Sequence, residues 1–236
     1  MKLLNDPIGQ CIEDVRIHGS ADDILVESDL CEDDLIPSKY LFRSYEEMPE
    51  VEQEALFLCK GSVLDVGAGS GIHSRHLINQ GLEVHAIEIS PNAVEWMKKD
   101  GISAESVSFF EHKGSYDTLL FLMNGAGIAG TLSRLPYFLT HAKSLISDQG
   151  QIIMDSSDVQ FLYQEDDGSY WMDLNSEYHG NFRFRMHYKE HRTDWFDWLY
   201  VDFDTLSKVA EEAGLKTEKI VETKDYHYLA RLTAAP

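Results

Sequence analysis

The residue types best suited to chemistry lie in a nonapeptide that has the sequence VLDVGAGSG and ends at Gly71. Its apolar half predicts a buried strand, and the alternate glycines Gly67, Gly69 and Gly71 predict a tight turn before a helix that begins near Ile72. Such a turn exposes unpaired backbone N–H groups, and glycine lets a ligand approach the main chain closely. The turn, with Ala68 inside it, is therefore predicted to bind a nucleotide-like small molecule.

Asp65 lies two residues before the first glycine, and its charge bears on the class of ligand. A carboxylate there disfavours the pyrophosphate of a dinucleotide and favours a ligand with a cationic amine or sulfonium. The dinucleotide fingerprint also requires a third glycine where this chain has Ile72. A nicotinamide-dependent oxidoreductase is therefore the weaker alternative. A non-catalytic cofactor-binding protein of the same fold is a further one.

Glu88 is the next acidic landmark, at the end of a second predicted strand over residues 82–87. A carboxylate at a strand tip roughly 20 residues beyond such glycines is placed to accept both hydroxyls of a ribose. Both cofactor classes contain a ribose, so Glu88 supports nucleotide binding without choosing between them. Ser90 and Pro91 then provide an N-cap and a first helical residue for a helix over 92–99.

With the nonapeptide and Glu88, the chain resembles the class I S-adenosylmethionine-dependent methyltransferases over about residues 61–155 and 210–232. The resemblance implies S-adenosylmethionine as the cofactor and S-adenosylhomocysteine as the product. It also implies that Asp65 orients the turn or meets the methionine amine, and that Glu88, followed by Ile89, holds the ribose.

The same resemblance implies cofactor contacts in three other places. The end of a third strand, predicted over 104–109, would meet the adenine, where Ser108 stands in place of an acidic residue and Phe109 or Phe110 packs on the purine face. In the N-terminal segment, Arg43 would pair with the methionine carboxylate. Asn124 would border the methyl-transfer site.

Asn124 is also placed by position, because it follows a buried fourth strand predicted over 116–123. Ligands of doubly wound sheets bind outside the carboxyl ends of the strands. A helix over 132–146, a turn over 147–150 and a fifth strand over 151–155 follow. Asp155, at the end of that strand, is a candidate for the acceptor pocket.

The C-terminal part predicts a helix over 204–213, with Asp204 as its N-cap, and strands over 215–222 and 226–232. A short connection cannot make a parallel crossover, so these two strands must be antiparallel. The predicted fold is α/β: a Rossmann-like doubly wound sheet of about seven strands, mostly parallel with an antiparallel C-terminal strand. An antiparallel β insert is expected after the fifth strand.

That insert, over 159–202, is marked by a crowd of aromatic residues and by strict alternation near 182–189 and 195–200, which predict a hairpin. The resemblance implies that it builds the acceptor pocket or a homodimer contact. Its histidines show no metal-ligand spacing, so no metal site is predicted. The aromatic residues are Tyr163, Tyr170, Trp171, Tyr178, Phe182, Phe184, Tyr188, Trp195, Phe196, Trp198 and Tyr200.

Residues 1–60 are predicted to form a cap segment rather than a second domain, and the resemblance implies that their helices lie across the cofactor. Acidic clusters and short apolar runs up to residue 37 indicate irregular structure or short helices. Residues 38–59 then predict two helices, the second opening at Pro49. We expect one domain, made of this cap, a cofactor-binding half (61–158), the insert (159–202) and a C-terminal helix with a strand pair (203–236).

The 236-residue chain has a formal net charge of −21, which argues against nucleic acid as a partner because such proteins carry a basic footprint. A small-molecule acceptor is favoured instead. No apolar run is long enough to span a bilayer and the N-terminus lacks a signal-peptide core, so we expect no membrane contact and a cytoplasmic location. No catalytic base is assigned, although a histidine or tyrosine of the insert is a candidate.

Overall fold

The computed structural model describes residues 5–163 and 178–235, so Tyr170 and Trp171 of the predicted insert lie outside the described residues. The described α-helices are α1 (Pro7–His18), α2 (Glu50–Leu58), α3 (Ile72–Asn79), α4 (Pro91–Lys99), α5 (Leu135–Leu145) and α6 (Phe203–Glu212). The described strands are β1 (Ile24–Ser28), β2 (Asp34–Ile36), β3 (Ser62–Val66), β4 (Glu83–Glu88), β5 (Ser103–Ser106), β6 (Tyr116–Phe121), β7 (Ile146–Ser157), β8 (Asn181–Tyr188), β9 (His191–Arg192), β10 (Phe196–Leu199), β11 (Leu215–Glu222) and β12 (His227–Ala234).

The main sheet has seven strands in the order β11-β12-β7-β6-β3-β4-β5. Strands β3 to β7 are mutually parallel, while β12 runs antiparallel to both β7 and β11. The predicted fold class is confirmed, including the reversed strand near the C-terminus. Because this strand is reversed, its first residue lies at the edge where the parallel strands end.

Helices cover both faces of this sheet, as burial on both sides of its central strands requires. On one face, Leu64 of β3 packs in the core formed with α5 and α6. On the other face, Val63 packs in the core formed with α2 and α3. Within the described residues, no helix is both long and apolar enough to cross a membrane.

A second sheet, in the order β10-β8-β1-β2 with β9 beside β8, joins the N-terminal segment to the insert. The predicted hairpin is present, with Phe184 of β8 opposite Phe196 of β10. The expectation of irregular structure or short helices before residue 37 is wrong, because α1, β1 and β2 lie there. The apolar run of β1 is a strand because it pairs with β8, where Leu25 lies opposite His187.

Two local predictions are corrected. The turn expected over 147–150 falls within β7, where Tyr116 pairs with Ile146 and Thr118 with Gln151, so the intervening β7 residues bulge out of register. The N-cap of α6 is Asp202, not Asp204, because the Asp202 side chain accepts the backbone N–H of Thr205 at 2.8 Å.

Candidate active site

The glycine turn after β3 has the conformation that its sequence predicts. Gly67, Gly69 and Gly71 have φ angles of 71°, 55° and 79°, which side chains rarely tolerate. A Cβ atom on Gly71 would lie 2.8 Å from Cδ1 of Ile102, whereas one on Gly69 would meet no atom of the described residues within 4 Å. Gly71 therefore serves packing, and Gly69 leaves open space where a ligand can approach the main chain.

Glu88 closes this turn from the neighbouring strand. Its Oε2 accepts the N–H of Gly69 at 2.9 Å, and its Oε1 accepts those of Ile89 and Ser90 at 2.7 and 3.0 Å. Burial raises the pKa of the Glu88 carboxyl, although these three N–H groups oppose the shift. The structure thus brings together the two residues singled out from sequence, a turn glycine and the strand-tip carboxylate. Ile89 is 75% exposed beside them.

Asp65 lies beneath the turn and is only 2% exposed. Its Oδ2 accepts the hydroxyl of Ser74 at 2.6 Å, which ties the end of β3 to α3. Burial raises the pKa of this carboxyl, while His73 and the Ser74 hydrogen bonds oppose that effect. Whether Asp65 orients the turn or meets the methionine amine stays a prediction.

A cavity opens above Asp65, at the carboxyl ends of β3 and β6. Its wall comprises the turn residues 67–70 together with His73 and Met123, and Tyr40 and Leu41 cover it. The hydroxyl of Ser70 donates to the carbonyl of Leu41, so the cover is bonded to the turn itself. Two residues of the N-terminal segment therefore line this cavity, while the role of that segment as a cap over the cofactor stays a prediction.

Arg43 does not line this cavity but belongs to a buried charged cluster next to it, which consists of Arg43, Glu52 and His73. The guanidinium of Arg43 is ion-paired with Glu52, and Nε2 of His73 lies 2.8 Å from the same carboxylate. Burial by itself would raise the pKa of Glu52, but His73 and Arg43 together lower it below its usual value. Nε of Arg43 is buried without a hydrogen-bond partner among the described residues. The predicted pairing of Arg43 with a ligand carboxylate stays a prediction.

The residues predicted near the adenine lie at the end of β5, but they differ in accessibility. Phe109 is 4% exposed, and its ring lies 5.1 Å from those of Phe121 and Phe138 in the core. This placement does not fit a side chain stacked on a purine. Ser108, which precedes the 3₁₀ turn Phe109–Glu111, is partly accessible. The apolar surface that does face solvent next to Glu88 is Ile89.

Asn124 follows β6, as predicted, but its carboxamide is engaged by the protein. Its Nδ2 donates to the carbonyl of Leu199 at 3.1 Å, and its Oδ1 accepts the hydroxyl of Ser156 at 3.0 Å. Met123 and Asn124 both have positive φ angles, 62° and 58°. Such residues cost about 1–3 kcal/mol each and cluster at functional sites. Asn124 thus joins the second sheet to the site-bearing edge.

A histidine that sequence reasoning missed, His227, lies at the same edge. Asp155, fully buried, accepts the backbone N–H groups of Asn124 and Gly125 at 3.0 and 2.8 Å, and its Oδ2 lies 2.8 Å from Nε2 of His227. Burial works against the charge on His227, but Asp155 and Glu52 together raise its pKa. The signal was available: the predicted reversed strand must begin at this edge, and His227 is at its start.

The comparisons with known proteins agree with this geometry. A family described as a methyltransferase domain matches residues 42–220. A solved S-adenosylmethionine-dependent methyltransferase from Bacteroides fragilis, in complex with S-adenosylhomocysteine, is 45% identical with a TM-score of 0.93, and the match covers 100% of this chain and 98% of that one. The chain belongs to the S-adenosylmethionine-dependent methyltransferases.

This methyltransferase shares its fold with more distant structures. The CcbJ methyltransferase from Streptomyces caelestis is 15% identical with a TM-score of 0.60, over 81% of this chain and 95% of that one. A methyltransferase from Clostridium acetobutylicum is 10% identical with a TM-score of 0.58, over 82% and 93%. No curated protein matches the chain. The predicted family is confirmed, and the nicotinamide-dependent oxidoreductase is set aside.

Proposed function

We propose that this methyltransferase binds S-adenosylmethionine at the turn from Gly67 to Gly71 and methylates a small-molecule acceptor by in-line displacement. One observation carries the proposal: the Glu88 carboxylate is fixed against the N–H of Gly69, beside the open space above that glycine. A carboxylate so placed accepts ribose hydroxyls. Exposed Ile89 offers apolar surface to the purine.

The methionine end of the cofactor suits the cavity above Asp65. A buried carboxylate favours a cationic amine or sulfonium nearby. In the charged cluster next to this cavity, Nε of Arg43 has no partner among the described residues and is a donor suited to a carboxylate. When bound, the cofactor supplies a sulfonium methyl that is already an activated electrophile. The protein's task is then to hold the acceptor in line with that methyl and to exclude water.

We assign removal of the acceptor's proton to His227. In the neutral ring Nε2 carries the hydrogen that it donates to Asp155, so Nδ1 is the nitrogen that accepts a proton. The buried Asp155 fixes the ring and stabilises the imidazolium that forms. Asp155 also holds the backbone of Asn124 and Gly125, next to the cavity-lining Met123, so this pair borders the site.

Charge and architecture support a small acceptor. A net charge of −21 disfavours a polyanionic acceptor such as nucleic acid. The N-terminal cover and the second sheet also restrict access to the carboxyl edge of the main sheet. The homodimer contact and the cytoplasmic location stay predictions.

We also propose that the four segments defined from the sequence form one domain. The hydroxyl of Ser90, at the start of α4, donates to Asp6 in the N-terminal segment at 2.7 Å. The N-terminal β1 pairs with β8 of the insert, and the C-terminal β12 pairs with β7. Each segment is thus hydrogen-bonded to another that is distant in sequence.

Calorimetric titration with S-adenosylhomocysteine, with NADH as the control ligand, tests the cofactor assignment. We expect saturable binding of S-adenosylhomocysteine alone. Binding of NADH alone, or of neither ligand, would contradict it. A subsequent screen of small amines and alcohols for methyl transfer tests the acceptor class, with an oligonucleotide as the polyanionic control.

A further inference from the structure

Three side chains that play no part in the site above converge at the far edge of the main sheet: His85, Glu105 and His112. His85 lies on β4 and Glu105 on the edge strand β5, where the parallel register places Ser103 opposite His85 and Glu105 opposite Ile87. The two side chains therefore project from the same face. His112 follows the 3₁₀ turn Phe109–Glu111 and reaches the same point from the next connection.

The donor atoms of these side chains have the spacing of metal ligands. Oε2 of Glu105 lies 3.8 Å from Nε2 of His85 and 3.6 Å from Nδ1 of His112. One ligand atom from each residue lies within 4.8 Å of the other two. Bonds of 2.0–2.2 Å in a tetrahedral Zn²⁺ site place neighbouring ligands about 3.4 Å apart. The carboxylate of Glu105 is thus within a few tenths of an ångström of that spacing from both imidazoles.

The remaining ring nitrogens are held by hydroxyl groups. Nδ1 of His85 lies 2.9 Å from Oγ of Ser103, and Nε2 of His112 lies 3.0 Å from the Tyr116 hydroxyl. When each of these nitrogens carries the proton, Nε2 of His85 and Nδ1 of His112 keep the lone pairs with which they can bind an ion. Outer-shell bonds of this kind orient the histidines of metal sites.

We propose that His85, Glu105 and His112 bind a divalent transition-metal ion of the Zn²⁺ type. Two imidazoles and one carboxylate suit such an ion better than Mg²⁺ or Ca²⁺, which prefer all-oxygen ligands. The side chain of His112 is 5% exposed, whereas those of His85 and Glu105 are 27% and 55% exposed. One ligand is thus anchored in the protein while the open side admits water as a fourth ligand.

The bound ion links β4, β5 and the connection that leads into β6. Sequence spacing did not indicate this site, because its ligands are far apart in the chain and only strand pairing brings them together. An ion that binds only the folded state raises stability in proportion to its concentration relative to its Kd. It also fixes the 3₁₀ turn that follows Ser108.

The test uses the tag-free, metal-stripped full chain titrated with Zn²⁺ by calorimetry, and with Co²⁺ followed by its visible absorption. We expect one ion per chain, a rise in Tm with Zn²⁺ and a Co²⁺ spectrum typical of nitrogen and oxygen ligands. His85→Ala and Glu105→Gln should each weaken binding more than about tenfold. These two side chains are accessible, so both variants should keep the fold, which circular dichroism checks.

His18→Ala, which removes an exposed histidine from the end of α1, is the matched control and should bind as the wild type does. Absence of binding below millimolar Zn²⁺ would overturn the proposal. So would a site whose affinity is unchanged in both His85→Ala and Glu105→Gln. The same samples are also titrated with S-adenosylhomocysteine, so that a failure of the metal proposal can be distinguished from a failure of the cofactor assignment.

Discussion

Nε2 of His227 lies 2.8 Å from Oδ2 of Asp155, and this bond joins the first residue of β12 to the carboxyl end of β7. The carboxylate is fully buried and already accepts two backbone N–H groups, so its position is fixed. The imidazole is consequently held in one orientation. Asp155 and Glu52 raise its pKa against the effect of burial.

If His227 accepts the acceptor's proton, the methyl-transfer rate must follow its titration. Only the neutral ring is a base, so kcat/KM should rise with pH through a pKa above the usual value of about 6.5. His227→Gln should lower kcat/KM by about 10²-fold or more and remove this pH dependence. The affinity of His227→Gln for S-adenosylhomocysteine should be unchanged. The control is His18→Gln, which should behave as the wild type does. If His227→Gln kept the wild-type pH profile, His227 would not be the base.

Glu88→Gln should weaken the binding of S-adenosylhomocysteine. The variant keeps the shape of the side chain but loses charge-assisted hydrogen bonds, each worth about 1.5–3 kcal/mol. We expect Kd to rise about tenfold or more, measured by calorimetry. Glu83→Gln, at the exposed opposite end of β4, should leave Kd unchanged. Equal affinities of Glu88→Gln and the wild type would remove Glu88 from the site.

Gly69 and Gly81 form a matched pair, because both have positive φ angles, 55° and 87°, and both face open space. Alanine at either position costs about 1–2 kcal/mol of stability from the left-handed backbone. Thermal unfolding should therefore show similar losses for Gly69→Ala and Gly81→Ala. Only Gly69→Ala should also weaken the binding of S-adenosylhomocysteine, since the methyl group of the alanine would occupy space that the ligand needs. Equal binding by both variants would show that the ligand lies elsewhere.

The buried cluster of Arg43, Glu52 and His73 predicts a sensitivity to acid. Glu52→Gln leaves the buried guanidinium without its counter-charge and should cost about 3 kcal/mol of unfolding free energy. The pKa of Glu52 is lowered in the folded state, so its contribution is present above the unfolded value and lost as pH falls through the folded one. The difference in unfolding free energy between the wild type and Glu52→Gln, measured by urea denaturation, should become smaller below about pH 4.3. A gap independent of pH would contradict this account.

The cofactor-binding half was predictable because its signals are local. The apolar run before Gly67, the Ser90 cap and the tight link before β12 each determine the conformation of their own segment. The contact between Gly69 and Glu88 follows as well, because parallel neighbours end at the same edge of a sheet.

What the sequence did not reveal depends on distant partners. The run at Ile24 is a strand because β1 lies between β2 and β8, and the acidic residues on both sides of the run obscured its strand propensity. Phe109 was expected at the purine, yet its position in the core is decided by Phe121 and Phe138. Asn124 was expected to meet a ligand, but its amide is bonded to Leu199. No local pattern reports such contacts.

The pairing of β1 with β8 also affects when this protein can fold. Glu27 and His187, bonded across these strands, are 160 residues apart in the chain. Closing so long a loop costs entropy before any contact repays it, and such pairing is slow. During synthesis β1 can pair with β2 early, but its other edge must wait for β8. The second sheet therefore cannot be completed until β8 has been made, and a nascent chain has its cofactor turn before it has the whole sheet that borders it.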